Sequence, residues 1–221
     1  MRTINRKAIL FLSGMALVLS ACGNNPKAAN EKNFEAALNA HFAKMKQCFP
    51  VGGEPNEDGI IQEFRADGKG FGIEKKPLFD AFVGANLMDT VRYQKQVSRL
   101  GTGFDMIDHV GYKFSSDGEK FLRPAELDKG FFNTGKRQLC YATAEVIDVT
   151  NFTEPAEVMG VKASNVKFTY RLKDVASWAS DPTIVANYNW LPQKISAPSL
   201  EDDEDMVLTN NGWVHHKEVS R

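Results

Sequence analysis

Residues 137–152, RQLCYATAEVIDVTNF, decide the fold, because they place β-branched and aromatic residues at close intervals over more than ten positions. A second stretch, NVKFTYRLKDV (165–175), alternates polar residues with apolar ones. The apolar set is Val166, Phe168, Tyr170 and Leu172. Strict alternation predicts a strand with one face in the core and the other in solvent. The connection (153–164) contains proline and glycine, so we expect the two strands to pair antiparallel.

The chain beyond these strands predicts a short helix and a hairpin. In SDPTIVANYNW (180–190), Asp181 is suited to cap a helix in which Pro182 takes the first position. The stretch MVLTNNGWVHH (206–216) predicts two short strands around an Asn-Asn-Gly turn. The acidic run EDDED (201–205) before it is expected to be a solvated loop.

Helical periodicity characterises the start of the mature chain. In EKNFEAALNAHFAKMKQC (31–48), apolar residues recur every three or four positions. This pattern predicts an amphipathic helix that Asn30 or Asn33 caps and whose last turn Cys48 closes.

Residues 77–88 predict a second helix, and residues 89–114 alternate in the manner of a two-stranded hairpin. Ser115 or Ser116 is then placed to cap a short helix through its side-chain oxygen. Over 77–123 this order resembles the wing and following turn of winged-helix domains. We therefore expect an α+β fold, with an N-terminal helical and winged-helix-like lobe packed with a C-terminal antiparallel sheet.

The first residues predict an export signal. Three cations precede a short apolar run (8–19), which as a helix rises only about 18 Å, too little to span a hydrocarbon core of about 30 Å. A cleaved secretory signal is expected. The stretch Leu-Ser-Ala-Cys (19–22) resembles the lipobox of bacterial lipoproteins, which implies that Cys22 is acylated and becomes the new N-terminus. The alternative is an ordinary signal that happens to contain a cysteine.

Resemblance to enterobacterial sorting signals favours the outer membrane, because Gly23 and Asn24 follow the cysteine and no aspartate does. The lipid chains themselves imply membrane attachment, since each buried CH₂ contributes about 0.8 kcal/mol. The polar stretch after Cys22 reaches at most roughly 26 Å, so the folded part is expected close to the lipid surface.

Four segments follow from these patterns. They are a signal peptide (1–21), a tether (22–30), a helical and winged-helix-like lobe (31–135) and an antiparallel β-rich lobe (136–221).

Three stretches of the mature chain also resemble a group of uncharacterised lipoproteins of Gram-negative bacteria. They are LCYATAEVIDVTNFTEPAEVMG (139–160), VKFTYRLKDVASWA (166–179) and MVLTNNGW (206–213). Together with the lipobox they imply an envelope protein, and the resemblance brings no catalytic residues with it.

Cysteine usage predicts a disulfide. With Cys22 assigned to lipid, Cys48 and Cys140 form an even pair in an oxidising compartment. A bond between them closes a long loop and contributes up to about 4.6 kcal/mol in the entropy model. The alternative is two separate buried thiols, and no C-x-x-C spacing indicates a redox role.

Charge argues against a nucleic-acid partner. Removal of residues 1–21, which contain three cations and no anions, takes the formal net charge from −1 to about −4. A mildly acidic chain offers no electrostatic footprint for nucleic acid.

Three constellations merit a test as chemical sites. Adjacent His215 and His216 invite a metal site, but neighbouring residues of a strand point to opposite faces, so we expect a polar terminus and no bound metal. Asp105, Asp108 and His109 lie on a predicted strand where acid–base work is conceivable.

The third constellation is aromatic. Trp178, Trp190 and Trp213 either line a ligand groove or anchor the core, and the second reading is favoured. No catalytic residue and no cofactor is predicted.

The sequence therefore favours a lipid-anchored envelope protein on the periplasmic face of the outer membrane, with a non-catalytic binding or scaffolding role. Its partners are expected to be the membrane, through acylated Cys22, and an envelope protein or small ligand. The alternative is a periplasmic hydrolase or an inhibitor of envelope enzymes. A groove without convergent titratable groups supports binding, whereas a pocket that holds Asp105, His109 and a further polar group supports an enzyme.

Overall fold

The computed structural model describes residues 25–99, 103–123 and 137–219. The predicted signal peptide (1–21) and the acylated Cys22 lie outside these residues and stay predictions. In the three described ranges, no helix combines the length and the apolar character that crossing a membrane requires.

Helices and strands alternate irregularly along the chain. The α-helices are α1 (Glu31–Phe42), α2 (Lys76–Gly84), α3 (Pro182–Asn187), α4 (Trp190–Ser196) and α5 (His216–Val219). Single 3₁₀ turns lie at Ile73–Lys75, Gly118–Phe121 and Ser177–Ser180. The strands are β1 (Gln47–Val51), β2 (Gln62–Arg65), β3 (Met88–Arg99), β4 (Gly103–Phe114), β5 (Arg137–Phe152), β6 (Ala156–Val158), β7 (Val161–Lys173), β8 (Leu200–Thr209) and β9 (Gly212–His215).

The strands form two antiparallel sheets. The larger has the order β1-β5-β7-β8-β9, and β6 pairs with β7 beside it. The smaller has the order β2-β4-β3. A mixture of helices with antiparallel sheet is therefore confirmed, as is the predicted antiparallel pairing of β5 with β7.

Strand β5 belongs to both apolar cores of the molecule. Its first half contributes Leu139 and Tyr141 to a first core, which α2, α3, α4 and the small sheet enclose. Its second half contributes Val146 and Val149 to a second core, formed by β7, β8, β9 and α1. A strand of 16 residues, about 50 Å long at the usual rise, joins the two cores without a break.

Helix α1 packs on the large sheet and not on the helices of the first core. Asn30 caps it by accepting a hydrogen bond from the Asn33 N–H at 2.9 Å. Phe34 and Leu38 are fully buried in the second core, and the phenyl ring lies 4.9 Å from the Trp213 ring. The division into lobes at residues 135 and 136 stays a prediction. Each of the two cores contains residues from both sides of it.

The structure does not confirm a winged-helix lobe. The β3–β4 hairpin forms as predicted, and the Ser115 Oγ accepts a hydrogen bond from the Gly118 N–H at 2.9 Å. The third strand of that sheet, however, is β2, and α1, the helix expected to belong to this lobe, packs on the other sheet. The hairpin motif is local, and long-range packing decides its surroundings.

The disulfide between Cys48 and Cys140 is confirmed. Its expected place in the chain was wrong for one partner. Helix α1 ends at Phe42, and Cys48 lies on β1, directly opposite Cys140 on β5. Pairing with β5 draws residues 47–51 into the sheet and overrides the helical periodicity of the preceding residues.

The acidic run 201–205 is not a loop, as its composition suggested, but part of β8. These residues pair with β7, from Glu201 opposite Thr169 to Asp205 opposite Asn165. Most of these five side chains face solvent, so main-chain pairing holds the acidic stretch, and the buried Met206 and Val207 that follow it anchor the strand.

Candidate functional site

Two buried histidines stack face to face where α1 meets the C-terminus. The rings of His41, on α1, and His215, at the end of β9, lie 3.6 Å apart between centroids with their planes 4° from parallel. His215 is fully buried and His41 nearly so. Polar rings at such depth need partners, because an unsatisfied buried polar group is costly.

A carboxylate lies beside each ring. The Nδ1 of His41 donates to the Glu218 Oε1 at 2.9 Å, and Lys44 donates to the other oxygen of Glu218 at 3.1 Å. The Nε2 of His215 lies 3.1 Å from the Glu204 Oε2. We call His41, His215, Glu204 and Glu218 the histidine–carboxylate cluster.

Burial and charge shift the titration of this cluster. Burial lowers the pKa of His41, the hydrogen bond to Glu218 opposes this, and the neighbouring His215 lowers it further. The hydrogen bond with His215 holds the pKa of Glu204 below its usual range. Burial raises the pKa of Glu218, but hydrogen bonds from His41 and Lys44 outweigh it and the net shift is downward. At neutral pH the cluster contains two carboxylates and a neutral His41.

His216 brings a third potential metal ligand close to this cluster. Ligand atoms of Glu204, His215 and His216 lie within 4.8 Å of one another. The expectation that the two adjacent histidines diverge, at a polar terminus, was wrong. His215 ends β9 and His216 begins α5, so the chain turns between them and their rings stack at 4.5 Å.

The hydrogen bonding of His215 fits a carboxylate better than a metal ion. The backbone N–H of Lys217 donates to its Nδ1 at 3.1 Å, so this nitrogen carries no proton. A proton on this ring is then placed on Nε2, which lies 3.1 Å from the Glu204 Oε2. Metal-bound histidines instead donate from their second nitrogen to a carboxylate, carbonyl or water. The absence of a bound metal stays a prediction.

A second candidate is a cleft of about 330 Å³ on the β3–β4 hairpin. Its lining residues are Ala66, Arg92, Tyr93, Gln94, Asp108 and His109. The Nδ1 of His109 lies 2.9 Å from the carbonyl oxygen of Ile107, so that nitrogen donates and the neutral ring presents Nε2 as an acceptor. Asp108, exposed, accepts from Gln94 at 3.1 Å.

Asp105 does not join His109, although both were expected on one face of the strand. Four residues of strand separate them by about 13 Å. Asp105 accepts from the Arg99 Nε at 3.0 Å instead. The carboxylate nearer to His109 is Glu63, which accepts hydrogen bonds from Tyr93 and Lys95. Burial and the bond to Glu63 raise the pKa of Tyr93, so its hydroxyl stays protonated.

A third candidate is a cleft of about 530 Å³ that lies between β1, β2, α2 and the end of α3. Its lining residues are Pro50, Gly52, Gly53, Gln62, Lys75, Leu78, Phe79, Asn187 and Tyr188. We call it the first-core cleft. Its rim turns sharply at Gly52, where φ is +67° and a Cβ would lie 2.9 Å from the Ile61 carbonyl oxygen.

Polar and aromatic groups share the first-core cleft. Lys75 is the charged residue among its described lining, with amides from Gln62 and Asn187 nearby. Burial raises the pKa of Tyr188 to about 12, so the hydroxyl is a hydrogen-bond donor at neutral pH. Behind it the Tyr188 ring packs 4.4 Å from that of Phe49.

The three tryptophans do not line one groove. Trp178 and Trp190 both pack against Phe49 in the first core, at 6.1 and 5.9 Å between ring centroids. Trp213 belongs to the second core. Trp178 and Trp213 are buried and Trp190 partly so, which agrees with the reading as core anchors.

Sequence reasoning found His215, His216 and His109 as chemical candidates but missed the stack with His41. The one signal for His41 was its place on the apolar stripe of α1, three residues after Leu38. Nothing local marked Glu218, which lies 177 residues from His41. No protein-family model matches this chain, and no match was found among curated proteins or solved structures.

Proposed function

We propose that this is a lipid-anchored cell-envelope protein, attached by acylated Cys22 at the periplasmic face of the outer membrane. In this proposal its folded part has a non-catalytic binding or scaffolding role. The anchor part of the proposal rests on the export signal and the lipobox-like stretch 19–22.

The observation that carries the binding role is the composition of the first-core cleft. Its volume of about 530 Å³ lies within the usual range for small-ligand and peptide sites. Its lining combines an ammonium group, two amides and a phenol with apolar side chains. Such a lining recognises a polar or anionic group beside an apolar one, and it lacks an acid–base pair among its described residues.

The alternative of a hydrolase is less well supported. The candidate base, His109, lies in the smaller cleft, and Asp105, the carboxylate expected beside it, pairs with Arg99. No observation favours an inhibitor of envelope enzymes over a general binding protein.

The anchor is tested by acyl labelling in cells. Wild-type protein is expected to incorporate labelled palmitate and to fractionate with the outer membrane, and Cys22→Ala is expected to lose both. Equal labelling of the variant would contradict acylation at Cys22, and fractionation with the inner membrane would contradict the sorting.

The binding role is tested by site-specific photocrosslinking in intact cells. A photoreactive phenylalanine analogue at position 75, on the rim of the first-core cleft, is expected to yield a discrete adduct. The matched control is position 69, a lysine that is also exposed, in the β2–α2 loop. The same adducts from both positions, or none from either, would count against a binding site in this cleft.

A further inference from the structure

The hairpin between β6 and β7 presents apolar residues to solvent without any packing reason. Val158 is 52 % exposed, Met159 99 % and Val161 41 %. We call these three residues the apolar tip. The ladder between β7 and β8 stops at Ala163, so the tip is a two-stranded ribbon of β6 and β7 that is not paired with β8.

The turn in this hairpin is costly in its backbone as well as in its exposure. Met159 has φ +54° and Gly160 has φ +82°, as a two-residue type I′ turn requires. Asparagine, aspartate or glycine normally takes the first of these positions, because other side chains are strained there. The other non-glycine residues with positive φ in the described chain are indeed Asn86 and Asp174.

The register of the large sheet places the tip at the same end of the sheet as the β8–β9 turn. Ala163 lies opposite Val207, and beyond this last pair β7 runs on to Val161 and β8 runs on to Thr209. Thr209 lies opposite Gly212 in the β8–β9 hairpin. The apolar tip and the β8–β9 turn therefore lie at the same end of the large sheet.

Residues 26 and 27 lie directly on that β8–β9 turn. Gly212 has φ +124°, and a Cβ on it would lie 2.8 Å from the Pro26 carbonyl oxygen. The indole N–H of Trp213 donates to the Lys27 carbonyl oxygen at 3.2 Å. Pro26 and Lys27, among the first residues that the structure describes, thus lie at the same end of the sheet as the apolar tip.

From these placements we propose that the apolar tip is a second membrane contact, which inserts into the lipid interface next to the acyl anchor. The proposal rests on acylation of Cys22. Asn25 follows Cys22 by three positions, which span at most about 11 Å. A bilayer that holds the acyl chains is then within reach of the tip. Glu157 and Lys162 face each other across the ribbon, so this pair brings the tip no net charge.

Methionine oxidation tests the contact in the unmodified protein. Acylated full-length protein is reconstituted in vesicles of phosphatidylethanolamine and phosphatidylglycerol, treated with dilute peroxide, and analysed by mass spectrometry. Oxidation of Met159 is expected to slow several-fold relative to detergent-free soluble protein lacking the anchor. The matched control is Met106, 60 % exposed on β4, whose oxidation rate is expected to stay the same.

Lipid quenching supplies an independent measurement. Met159→Trp is expected to gain emission that is blue-shifted and quenched by phosphatidylcholine brominated on its acyl chains. Phe71→Trp, at an exposed position in the β2–α2 loop, is expected to gain emission that is neither blue-shifted nor quenched by the brominated lipid. Equal oxidation of Met159 with and without vesicles, or equal quenching at positions 159 and 71, would overturn the proposal.

A separate arm keeps this result distinct from acylation. Protein that begins at Cys22 is coupled through its thiol to a maleimide lipid in the same vesicles, which supplies the attachment chemically. Protection of Met159 there, without acylation in cells, supports the tip and contradicts the proposed anchor. Acylation in cells, with no protection of Met159 in either the acylated or the maleimide-coupled protein, supports the anchor and contradicts the membrane contact of the tip.

Discussion

The two cores of this protein are fastened in different ways. In the first core a covalent bond joins β1 to β5, from Cys48 to Cys140. In the second, α1 is joined to the C-terminal residues by hydrogen bonds and by the stacked His41 and His215. The covalent fastening depends on redox state and not on pH, whereas the histidine–carboxylate cluster depends on pH and not on redox state. Reduction is therefore expected to loosen the first core, and a fall in pH is expected to loosen the second.

The largest effect is expected from breaking the disulfide. Cys48→Ala and Cys140→Ala should each lower the free energy of unfolding by about 2–5 kcal/mol, because the bond closes a loop between residues 92 apart. The double variant should cost no more than either single one, since both remove the same bond. Thermal melting of the soluble chain lacking Cys22 measures all three.

Two results would contradict this expectation. One is a double variant whose loss equals the sum of the single losses, which would indicate independent packing roles. The other is two reactive thiols in a thiol assay on the unfolded, non-reduced chain. Hydrogen exchange should locate the loosening in β1 and in the first half of β5.

A smaller effect is expected at the join between α1 and the sheet. The Asn39 Oδ1 accepts a hydrogen bond from the Val146 N–H at 2.9 Å, where β5 extends beyond its pairing with β1. Asn39→Ala leaves that N–H without its acceptor, and the better helix propensity of alanine offsets part of the loss. A net cost of about 1–2 kcal/mol is expected in chemical denaturation.

The control for Asn39 is Glu35→Ala, an exposed position one turn earlier on α1. It should change the free energy of unfolding by less than about 0.5 kcal/mol. Equal costs at the two positions would mean that the hydrogen bond to Val146 contributes nothing measurable.

The smallest effect is a dependence of stability on pH. Burial lowers the pKa of His41 below its ordinary 6.5. As pH falls through 6.5 the unfolded chain therefore binds a proton before the folded one does, and stability falls until the folded pKa is passed. Melting temperatures measured at descending pH should decline less in His41→Gln, which retains a donor for Glu218 but does not titrate.

Reduction of the disulfide should lower the melting temperature of the wild-type chain at every pH. The change in melting temperature between pH 7 and pH 5 should stay the same. Glu204 and Glu218 have lowered pKa values, so their contribution is lost only below their ordinary 4.5. Identical slopes for wild type and His41→Gln would remove His41 as the source of the dependence.

Local patterns predicted the elements that carry their own signal. The strand at 137–152 matches β5, the alternation at 165–175 falls within β7 and the two residues beyond it, and Asp181 caps α3 through its carboxylate. The hairpin around residues 210–212 also forms. In each case the side-chain period and the backbone geometry agree within a few residues.

Long-range contacts explain what sequence patterns did not show. The pairing of β1 with β5 ends α1 early, and pairing with β7 turns an acidic run into a strand. The histidine–carboxylate cluster unites α1 with residues 204–218, so no window of the sequence contains it. Its polar groups were visible, but their burial depends on which elements meet.

The packing of α1 on β9 sets an order for folding during synthesis. Helix α1 packs on β9, and Trp213 bonds to Lys27 across 186 residues of chain. The second core therefore cannot close until residue 213 has been made, roughly 10–30 s after α1 at ordinary translation rates. Until then the apolar stripe of α1 has no native partner. A chain that stays unfolded this long can still be threaded through a membrane channel, as the export that we propose would require.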